Sequence, residues 1–506
     1  MMAEKFYVTT PIYYVNDAPH IGHAYTTILA DVLSRFHRAL GHDTFFLTGL
    51  DEHGQKVQQA AEKRGLSPQA HCDDLAPRFT DLWKTLGISN DDFIRTTQDR
   101  HKRIVQQILQ KVYDKGDIYQ KEYEGLYSVA EERFITEKEA ESGQFREVRV
   151  LKEKNYFFKM GQYQERLVRY IEEHPGFIRP EHRKNEMLGF LRQPLGDLCI
   201  SRPKSRLSWG IEIPFDRDYV TYVWFDALIN YISAIGYLSE EKKFARWWPG
   251  VHLIGKDILT THCIYWTTML FSLDLPLPDT IFAHGWWLMG ESKMSKSLGN
   301  VVRPLDLIQK HGVDAVRYYL MSEMVLGADA SFTPENFIKR YNSDLANDFG
   351  NLLNRVSGLI TKNHGGIIPE AGTPTPAEEE IISIGRTLGE RVNALVHDFK
   401  VDSAINEVLN LVRAVNKYME VQAPWKLAKT DLAAAGRVLY CASEALRLSA
   451  VLLKAVMPEK AGVVLGILGA EGSGLTWGEL RSGVALPSFP PLFPRIEAEK
   501  PPSPRG

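Results

Sequence analysis

The sequence predicts an α/β protein: a doubly wound parallel-sheet domain, split by an insertion and followed by an α-helical bundle. Three observations predict it. Strand-like apolar runs alternate with helical periodicity through residues 1–115, the pattern of a wound parallel sheet. After a charged and aromatic stretch over 116–220, strand-like runs at Val251–Gly255 and 280–283 resume the sheet. Beyond Pro304 the apolar spacing is helical only.

A chain of 506 residues is too long for one ordinary core, so two or three folded units are expected. With 44% apolar residues and a formal charge of -3, the composition is that of a soluble globular protein. No apolar run approaches the length of a membrane span, and residues 1–7 carry neither a signal core nor an Arg-rich transit pattern. A cytoplasmic protein without membrane contact is expected. The near-neutral charge leaves RNA binding open, because an acidic remainder can offset a local basic groove. Cys72, Cys199, Cys263 and Cys441 stand apart, with no C-x-x-C pair and no clustered histidines. No zinc knuckle is written there, and buried free thiols are expected.

Taken in order, residues 5–10 form the first strand. Apolar Ile21, Tyr25, Ile28, Leu29, Val32, Leu33, Phe36 and Leu40 then recur at helical spacing, and Gly41 is placed to end that helix. Residues 44–47 make the next strand. Within 116–220, strand-like 147–158 is flanked by the breakers Gly161, Pro175 and Pro194, which reads as an insertion. Trp224, Leu228 and Tyr231 share one helical face, a spacing that fits plain core as well as a ligand cleft. In 345–362, Leu345, Phe349, Leu352, Leu353, Val356, Leu359 and Ile360 form a core stripe beside the polar ridge Asn347, Asn351, Asn354 and Arg355. Asparagine is a poor helix former, so its recurrence there points to hydrogen bonding rather than an idle solvated face. Gly365-Gly366 and residues 372–376 mark a long turn. The series Val401, Ile405, Val408, Leu409, Val412, Val415 and Met419 precedes Trp425, which follows Pro424 at a helix start. A tryptophan there more often packs into the core. Residues 496–506 are a flexible tail.

Two segments carry chemistry. His20-Ile21-Gly22-His23 opens the first helix, where unpaired backbone N–H groups and a partial positive charge favour phosphate. Gly22 lacks a Cβ and lets a ligand or backbone come close, while His20 and His23 add imidazole donors on one side of the first turn. Alone, they read equally well as ordinary N-terminal helix residues. Lys293-Met294-Ser295-Lys296-Ser297, between Gly290 and Gly299, places two ammonium groups on a loop that can reach around a triphosphate. Nucleotidyl transfer relies on positioning and on neutralising charge that builds on phosphate oxygens. A solvated lysine pair is the commoner fate of such a loop, but it leaves the independent histidine turn unexplained.

Together the two motifs resemble the signatures of class I aminoacyl-tRNA synthetases, and the chain resembles the methionyl-tRNA synthetase family along nearly its whole length. The likeness rests on Pro11-Ile12-Tyr13-Tyr14-Val15-Asn16, Thr48-Gly49-Leu50-Asp51-Glu52-His53-Gly54, Tyr222-Val223-Trp224-Phe225-Asp226-Ala227-Leu228 and Gly255-Lys256-Asp257. Residues 344–355, Gln422-Ala423-Pro424-Trp425-Lys426 and Pro491-Leu492-Phe493-Pro494-Arg495 extend it.

The resemblance implies a Rossmann-like catalytic domain with halves at 1–115 and 221–290, a connective insertion at 116–220, a lysine-loop and stem-contact region at 291–344, and a helical anticodon-binding domain at 345–495. The implied substrates are L-methionine, ATP with Mg2+, and tRNA(Met) with its CAU anticodon. His20, His23, Lys293 and Lys296 are the implied catalytic residues, and ATP would lie against these together with Gly22, Gly255 and Asp257. Asp51 would hold the methionine ammonium. Ile12, Tyr14, Trp224, Ala227, Leu228, Tyr231, Ile258, His262 and Trp266 would line the cleft, with Tyr231 and His262 near sulfur. Leu228 stands where many relatives have proline, and Thr261 where some have an aromatic residue, which leaves pocket detail open. Arg202 is a further candidate for a phosphate contact. Asn351, Arg355 and Trp425 would read the anticodon by stacking and by amide and guanidinium contacts. Within the insertion, residues 123–128 and 131–145 hold no cysteine, which implies the family's zinc-free type. A chain ending soon after Arg495, without the appended OB-type domain by which some relatives dimerise, is expected to be a monomer.

Two other readings stay open at this point. Among other class I synthetases, the leucine, isoleucine and valine enzymes carry a large editing insertion for which this chain is too short, and the cysteine enzyme needs an absent zinc site. A non-catalytic tRNA-binding or scaffold protein derived from the same fold is expected to have lost its lysine loop, and here the loop is intact.

Overall fold

A computed structural model of the chain describes residues 4–15, 18–128, 133–135, 140–141, 147–290, 292–293, 302–325 and 327–497. In chain order the strands are β1 (Lys5–Tyr14), β2 (Asp43–Asp51), β3 (Asp92–Arg95), β4 (Ile118–Ser128), β5 (Arg133–Ile135), β6 (Val148–Phe158), β7 (Ile178–Arg179) and β8 (Leu198–Cys199). They continue with β9 (Ser201–Pro203), β10 (Glu212–Ile213), β11 (Asp216–Thr221), β12 (Val251–Gly255), β13 (Thr280–His284), β14 (Trp287–Met289), β15 (Ser292–Lys293) and β16 (Ala330–Phe332). The chain divides into two compact units. The first is Met1–Pro19, Asp43–Leu82 and Asn90–His284; the second is His20–His42, Trp83–Ser89 and Gly285–Gly506.

The first unit is organised by β1. Tyr7, Val8, Thr9 and Thr10 are all buried, so both faces of the strand meet protein, as in the centre of a parallel sheet. Parallel partners flank it: β2 on one side, with Tyr14 opposite Asp51, and β12 on the other, with Val8 opposite Val251 and Thr9 opposite His252. The full order is β3-β2-β1-β12-β13-β7. β1 runs beyond the predicted residue 10 to Tyr14. It passes Pro11 by a shift of register between Thr9 and Ile12, the irregularity a strand needs where an N–H donor is missing.

The predicted strand at 147–158 is β6, which pairs antiparallel with β4 from Ile118 opposite Phe158 to Ser128 opposite Val148. The span read as an insertion also supplies β7 to the edge of the main sheet, parallel to β13. A two-residue strand shows no periodicity, so nothing in the sequence marked it. The small antiparallel sheet β10-β11-β9 then leads into the helix Val223–Ala227. Three cysteines are buried free thiols as expected; Cys199 is only half-buried, and its sulfur accepts from Arg202 Nη1 at 3.2 Å.

In the second unit the helix Ile21–Ala39 buries the predicted apolar stripe from Ile21 to Phe36; Leu40 is its half-buried C-cap, and Gly41, at φ 80°, follows. The expectation of helices alone beyond Pro304 is corrected by β16, which pairs parallel with β14. The strand is three residues long, and its partner lies some forty positions earlier in the chain. The predicted helix at 345–362 opens as a π-helical segment, Tyr341–Gly350, before the α-helix Asn351–His364, which ends at left-handed Gly365. Helices Pro376–His397, Val401–Gln422, Leu432–Leu453 and Pro458–Ile467 follow. Thr375 and Glu378 form a reciprocal cap with Pro376 at the first helical position.

The core of this unit holds a buried ion pair. Arg317 Nη2 donates to Asp31 Oδ2 at 2.6 Å, and the same guanidinium donates to the carbonyls of Leu86, Ala455 and Val456. Asp31 also accepts from Arg35 and from the N–H and hydroxyl of Ser89. Burial alone would raise its pKa; Arg317, Arg35 and Ser89 outweigh that and hold the carboxyl below the usual range. Removing Arg317 strips Asp31 of its fully buried counter-charge and leaves only half-buried Arg35 and Ser89 to satisfy it. Arg317→Met should therefore destabilise the protein by about 3–5 kcal/mol in urea unfolding. Adding Asp31→Asn to that variant should recover part of the loss. A single-variant loss below about 1 kcal/mol would show that the pair does not hold this core.

Candidate active site

Successive strands leave β1 in opposite directions, β2 and β3 to one side and β12 and β13 to the other. The carboxyl ends of β1 and β12 therefore flank a topological switch point, where ligands of open α/β sheets bind. Ile12 and Tyr14 lie at the end of β1, and Asp51, 5% exposed, ends β2 in register with Tyr14. The carbonyl of Asp51 accepts from Val15 N–H at 3.1 Å. Glu52, next in sequence, is already committed: its carboxylate accepts from Arg95 Nε at 2.6 Å and from the Thr97 hydroxyl. Gly255 ends β12, and the turn Lys256–Ile258 follows with Asp257 exposed. A Cβ at position 255 would stand 2.5 Å from Asp257 Oδ1, so the bare backbone lets that carboxylate fold back over the strand end.

The apolar wall comes from three short helical segments, of which Asn230–Ser233 carries Tyr231. Trp224 and Ala227 belong to Val223–Ala227, and Leu228 and Tyr231 follow; His262 and Trp266 belong to the π-helical segment Thr261–Trp266. Trp224 and Ile258 are half-buried, whereas Ala227, Leu228, Tyr231, His262 and Trp266 are buried. Tyr231 Oη lies 2.7 Å from His262 Nε2, and His262 Nδ1 lies 2.9 Å from the Ile258 carbonyl. A carbonyl only accepts, so Nδ1 carries the proton. Burial pushes the His262 pKa down to about 4, against the pull of the Ile258 carbonyl and Asp257, so Nε2 is a lone pair at neutral pH and Tyr231 donates to it. The hydroxyl proton of Tyr231 is thus spent inside the wall.

Beside this wall sits a cluster that sequence reasoning did not assign. Asp226, fully buried, accepts from His53 Nδ1 at 2.6 Å with one oxygen and from His101 Nε2 at 2.7 Å with the other. Burial works to raise its pKa, but the two histidines outweigh it and keep the carboxyl below its ordinary range. His53 and Asp226 both lie inside recognised motifs; His101 carried no local signal, and neither did His252 in the middle of β12.

The histidine turn belongs to the second unit. His20 is the N-cap of the helix Ile21–Ala39: its Nδ1 accepts from Gly22 N–H at 3.1 Å, and His23 Nδ1 accepts from His20 N–H at 3.2 Å. The rings stack with centroids 3.9 Å apart. Both Nδ1 atoms are acceptors here, so each neutral ring carries its proton on Nε2 as a donor. Burial, then His20, lowers the His23 pKa well below its ordinary value, which keeps that ring neutral. A Cβ on Gly22 would meet His20 Cε1 at 2.9 Å. What Gly22 admits is therefore the imidazole of its own motif, rather than the ligand or backbone expected. Lys293 ends β15, opposite Leu288, but its side chain and the whole of Lys296 lie outside the described residues.

The model of class I tRNA synthetases of the methionine type matches residues 6–144 and 142–357, and that of the anticodon-binding domain of methionyl tRNA ligase matches 368–497. The methionine–tRNA ligase of Fusobacterium nucleatum is 46% identical over 517 residues, covering 99% of this chain and 81% of that protein. That of Caldanaerobacter subterraneus subsp. tengcongensis is 44% identical over 512 residues, covering 99% and 80%. The chain belongs to the methionyl-tRNA synthetase family. A Mycobacterium tuberculosis methionyl-tRNA synthetase in complex with methionyl-adenylate superimposes with a TM-score of 0.92 at 38% identity, covering 97% of this chain and 100% of that one.

The residues by which the family resemblance implies anticodon reading are also brought together. Asn351 is exposed, and the Arg355 guanidinium lies 5.8 Å from the centre of the Trp425 ring. Trp425 is 38% exposed, so it does not share the core fate of most such tryptophans. Left-handed Ala423, at φ 43°, turns the chain out of the helix Val401–Gln422 just before Pro424 and sets the tryptophan on the surface.

Gly22→Ala isolates the histidine turn. Alanine gains about 1 kcal/mol of helix propensity, which offsets the about 1 kcal/mol lost with the displaced cap. The melting temperature should scarcely move, while methionine-dependent pyrophosphate exchange should fall about 10²-fold through misplacement of His20. Undiminished exchange would show that the ring is not needed where Gly22 allows it to sit.

Proposed function

We propose that the chain activates methionine with ATP and passes the methionyl group to tRNA(Met). The observation that most supports this is the near-full-length likeness to a synthetase seen with methionyl-adenylate. The methionine carboxylate oxygen attacks the α-phosphorus of ATP, forming methionyl-adenylate and releasing pyrophosphate. A ribose hydroxyl of the terminal adenosine of tRNA then attacks the activated carbonyl, and AMP leaves. No side chain acts as a nucleophile. Asp51 holds the ammonium, and the wall from Trp224 to Tyr231 with Ile258, His262 and Trp266 takes the thioether tail. The Nε2 donors of His20 and His23 and the helix start meet phosphate, and Gly255 and Asp257 lie near the adenosine. Lys293 and Lys296 close over the departing pyrophosphate, as lids do. ATP would come with Mg2+, whose charge would offset that of the phosphates. The family's zinc-free insertion, a monomer and a cytoplasmic location complete the proposal. Among the described residues, no helix is long and apolar enough to cross a membrane, and no group of three or more His, Cys, Asp and Glu side chains is arranged to hold a metal.

Methionine-dependent ATP–pyrophosphate exchange tests the first step, and a scaffold protein would show none. Lys296→Ala should reduce the exchange rate by about 10²-fold or more with the KM for methionine unchanged, because its contact develops in the transition state. Near-normal exchange would remove Lys296 from the mechanism.

Trp425→Ala should weaken tRNA charging by the worth of one base stack, about 1–3 kcal/mol, and spare exchange measured without tRNA. A parallel fall of both activities with the melting temperature would return Trp425 to a packing role.

A further inference from the structure

We propose that His252 is a positioning residue for methionine: its imidazole, bonded at one nitrogen to Trp266 and at the other to Thr9 and stacked on Tyr231, fixes the two aromatic walls of the tail cleft. The inference rests on the reading of Trp266 and Tyr231 as cleft residues.

His252 is fully buried in the middle of β12, in register with Thr9 of β1. Its neighbours Val251, Leu253 and Ile254 show that this strand is filled by aliphatic side chains where only packing is needed. A polar ring in such a place costs free energy unless both nitrogens are satisfied. Both are. Trp266 Nε1–H lies 3.2 Å from His252 Nε2, and an indole nitrogen can only donate, so Nε2 is an acceptor and the ring is neutral. The proton then sits on Nδ1, 2.8 Å from the Thr9 hydroxyl, which accepts it. Burial, reinforced by nearby His262, lowers the His252 pKa well below the ordinary value, in line with this tautomer.

The geometric consequence reaches the cleft by two routes. The bond to Trp266 sets the rotamer of an indole that is itself fully buried. The face of His252 lies on that of Tyr231, with centroids 4.0 Å apart and planes 26° apart, which sets the plane in which the phenol reaches His262. Trp266 is thus held by uncharged hydrogen bonds anchored in β1, and Tyr231, with its own bond to His262, is held by the stacked face of the same ring. An uncharged, pre-set wall suits a thioether tail, and its ordering is complete before the substrate arrives.

Steady-state pyrophosphate exchange separates this role from mere packing. His252→Phe keeps the ring and its stack but removes both hydrogen bonds. The KM for methionine should rise about tenfold, with kcat within about threefold and the KM for ATP unchanged, the pattern of lost ground-state binding. His252→Gln, whose amide can accept from Trp266 and donate to Thr9, should recover most of the loss. In the Trp266→Phe background, which already lacks the donor, His252→Phe should add little. A His252→Phe enzyme with unchanged KM for methionine, or one in which both KM values and kcat deteriorate together as the melting temperature drops, overturns the proposal. Should that variant fail to fold, Thr9→Val is read in its place: a raised KM for methionine alone supports the proposal, and an unchanged one overturns it. Trp266→Ala serves as the control. If it leaves the KM for methionine unchanged, the cleft reading itself fails; if it raises that KM while His252→Phe is silent, only the role of His252 fails.

Discussion

The first unit depends on one buried carboxylate. Asp226 is fully removed from water, and an anion there is tolerated only while charge-assisted donors occupy it. Its donors, His53 and His101, precede residues 116–220, whereas Asp226 follows them. The carboxylate therefore joins two stretches of the first unit that the sequence separates by more than a hundred residues. Asp51 lies two positions before His53, and Trp224 two positions before Asp226. The group proposed for the ammonium and the wall proposed for the tail are linked through the hydrogen bond between His53 and Asp226.

The imidazoles divide by tautomer. His262 and His252 carry the proton on Nδ1 and present Nε2 lone pairs to Tyr231 and Trp266, which leaves the wall neutral and its donors satisfied internally. His20 and His23 are the reverse: their Nδ1 atoms are taken by backbone N–H groups of the helix cap, and their protons sit on Nε2. One side chain thus presents a lone pair in the first arrangement and an N–H donor in the second, which suits the tail cleft and the phosphate contact proposed for them. In each case the partner of the other nitrogen decides which.

The second unit applies the same rule to its own core. Arg317 satisfies one carboxylate and three backbone carbonyls, and in doing so ties the helix that begins with the histidine turn to residues 83–89 and to the turn before the last helix of the bundle. Asp344, within the π-helical segment that precedes Asn351 and Arg355, is a second hub, accepting from Tyr318, Arg340 and Arg413. Polar groups at helix junctions thus hold the surface on which Trp425 stands.

The sequence alone determined the strands of the main sheet near 5–10, 44–47, 251–255 and 280–283, the helix capped at His20, and the buried stripes of 345–362 and 401–419, because hydrophobic periodicity is local and survives without a partner. It also determined the family, through motifs whose order along the chain is itself information. Short pairings were beyond it: β7 and β16 have two and three residues, and each exists only because a distant strand offers it an edge. So were the partners of buried polar atoms. Nothing near His101 or His252 distinguishes them from any other histidine, and the reason Gly22 must lack a Cβ is the ring of His20 folded over it. Those facts belong to tertiary structure, because whether a donor meets an acceptor depends on which segments the sheet brings side by side, and hydrogen-bond energy falls away within an ångström of the right distance.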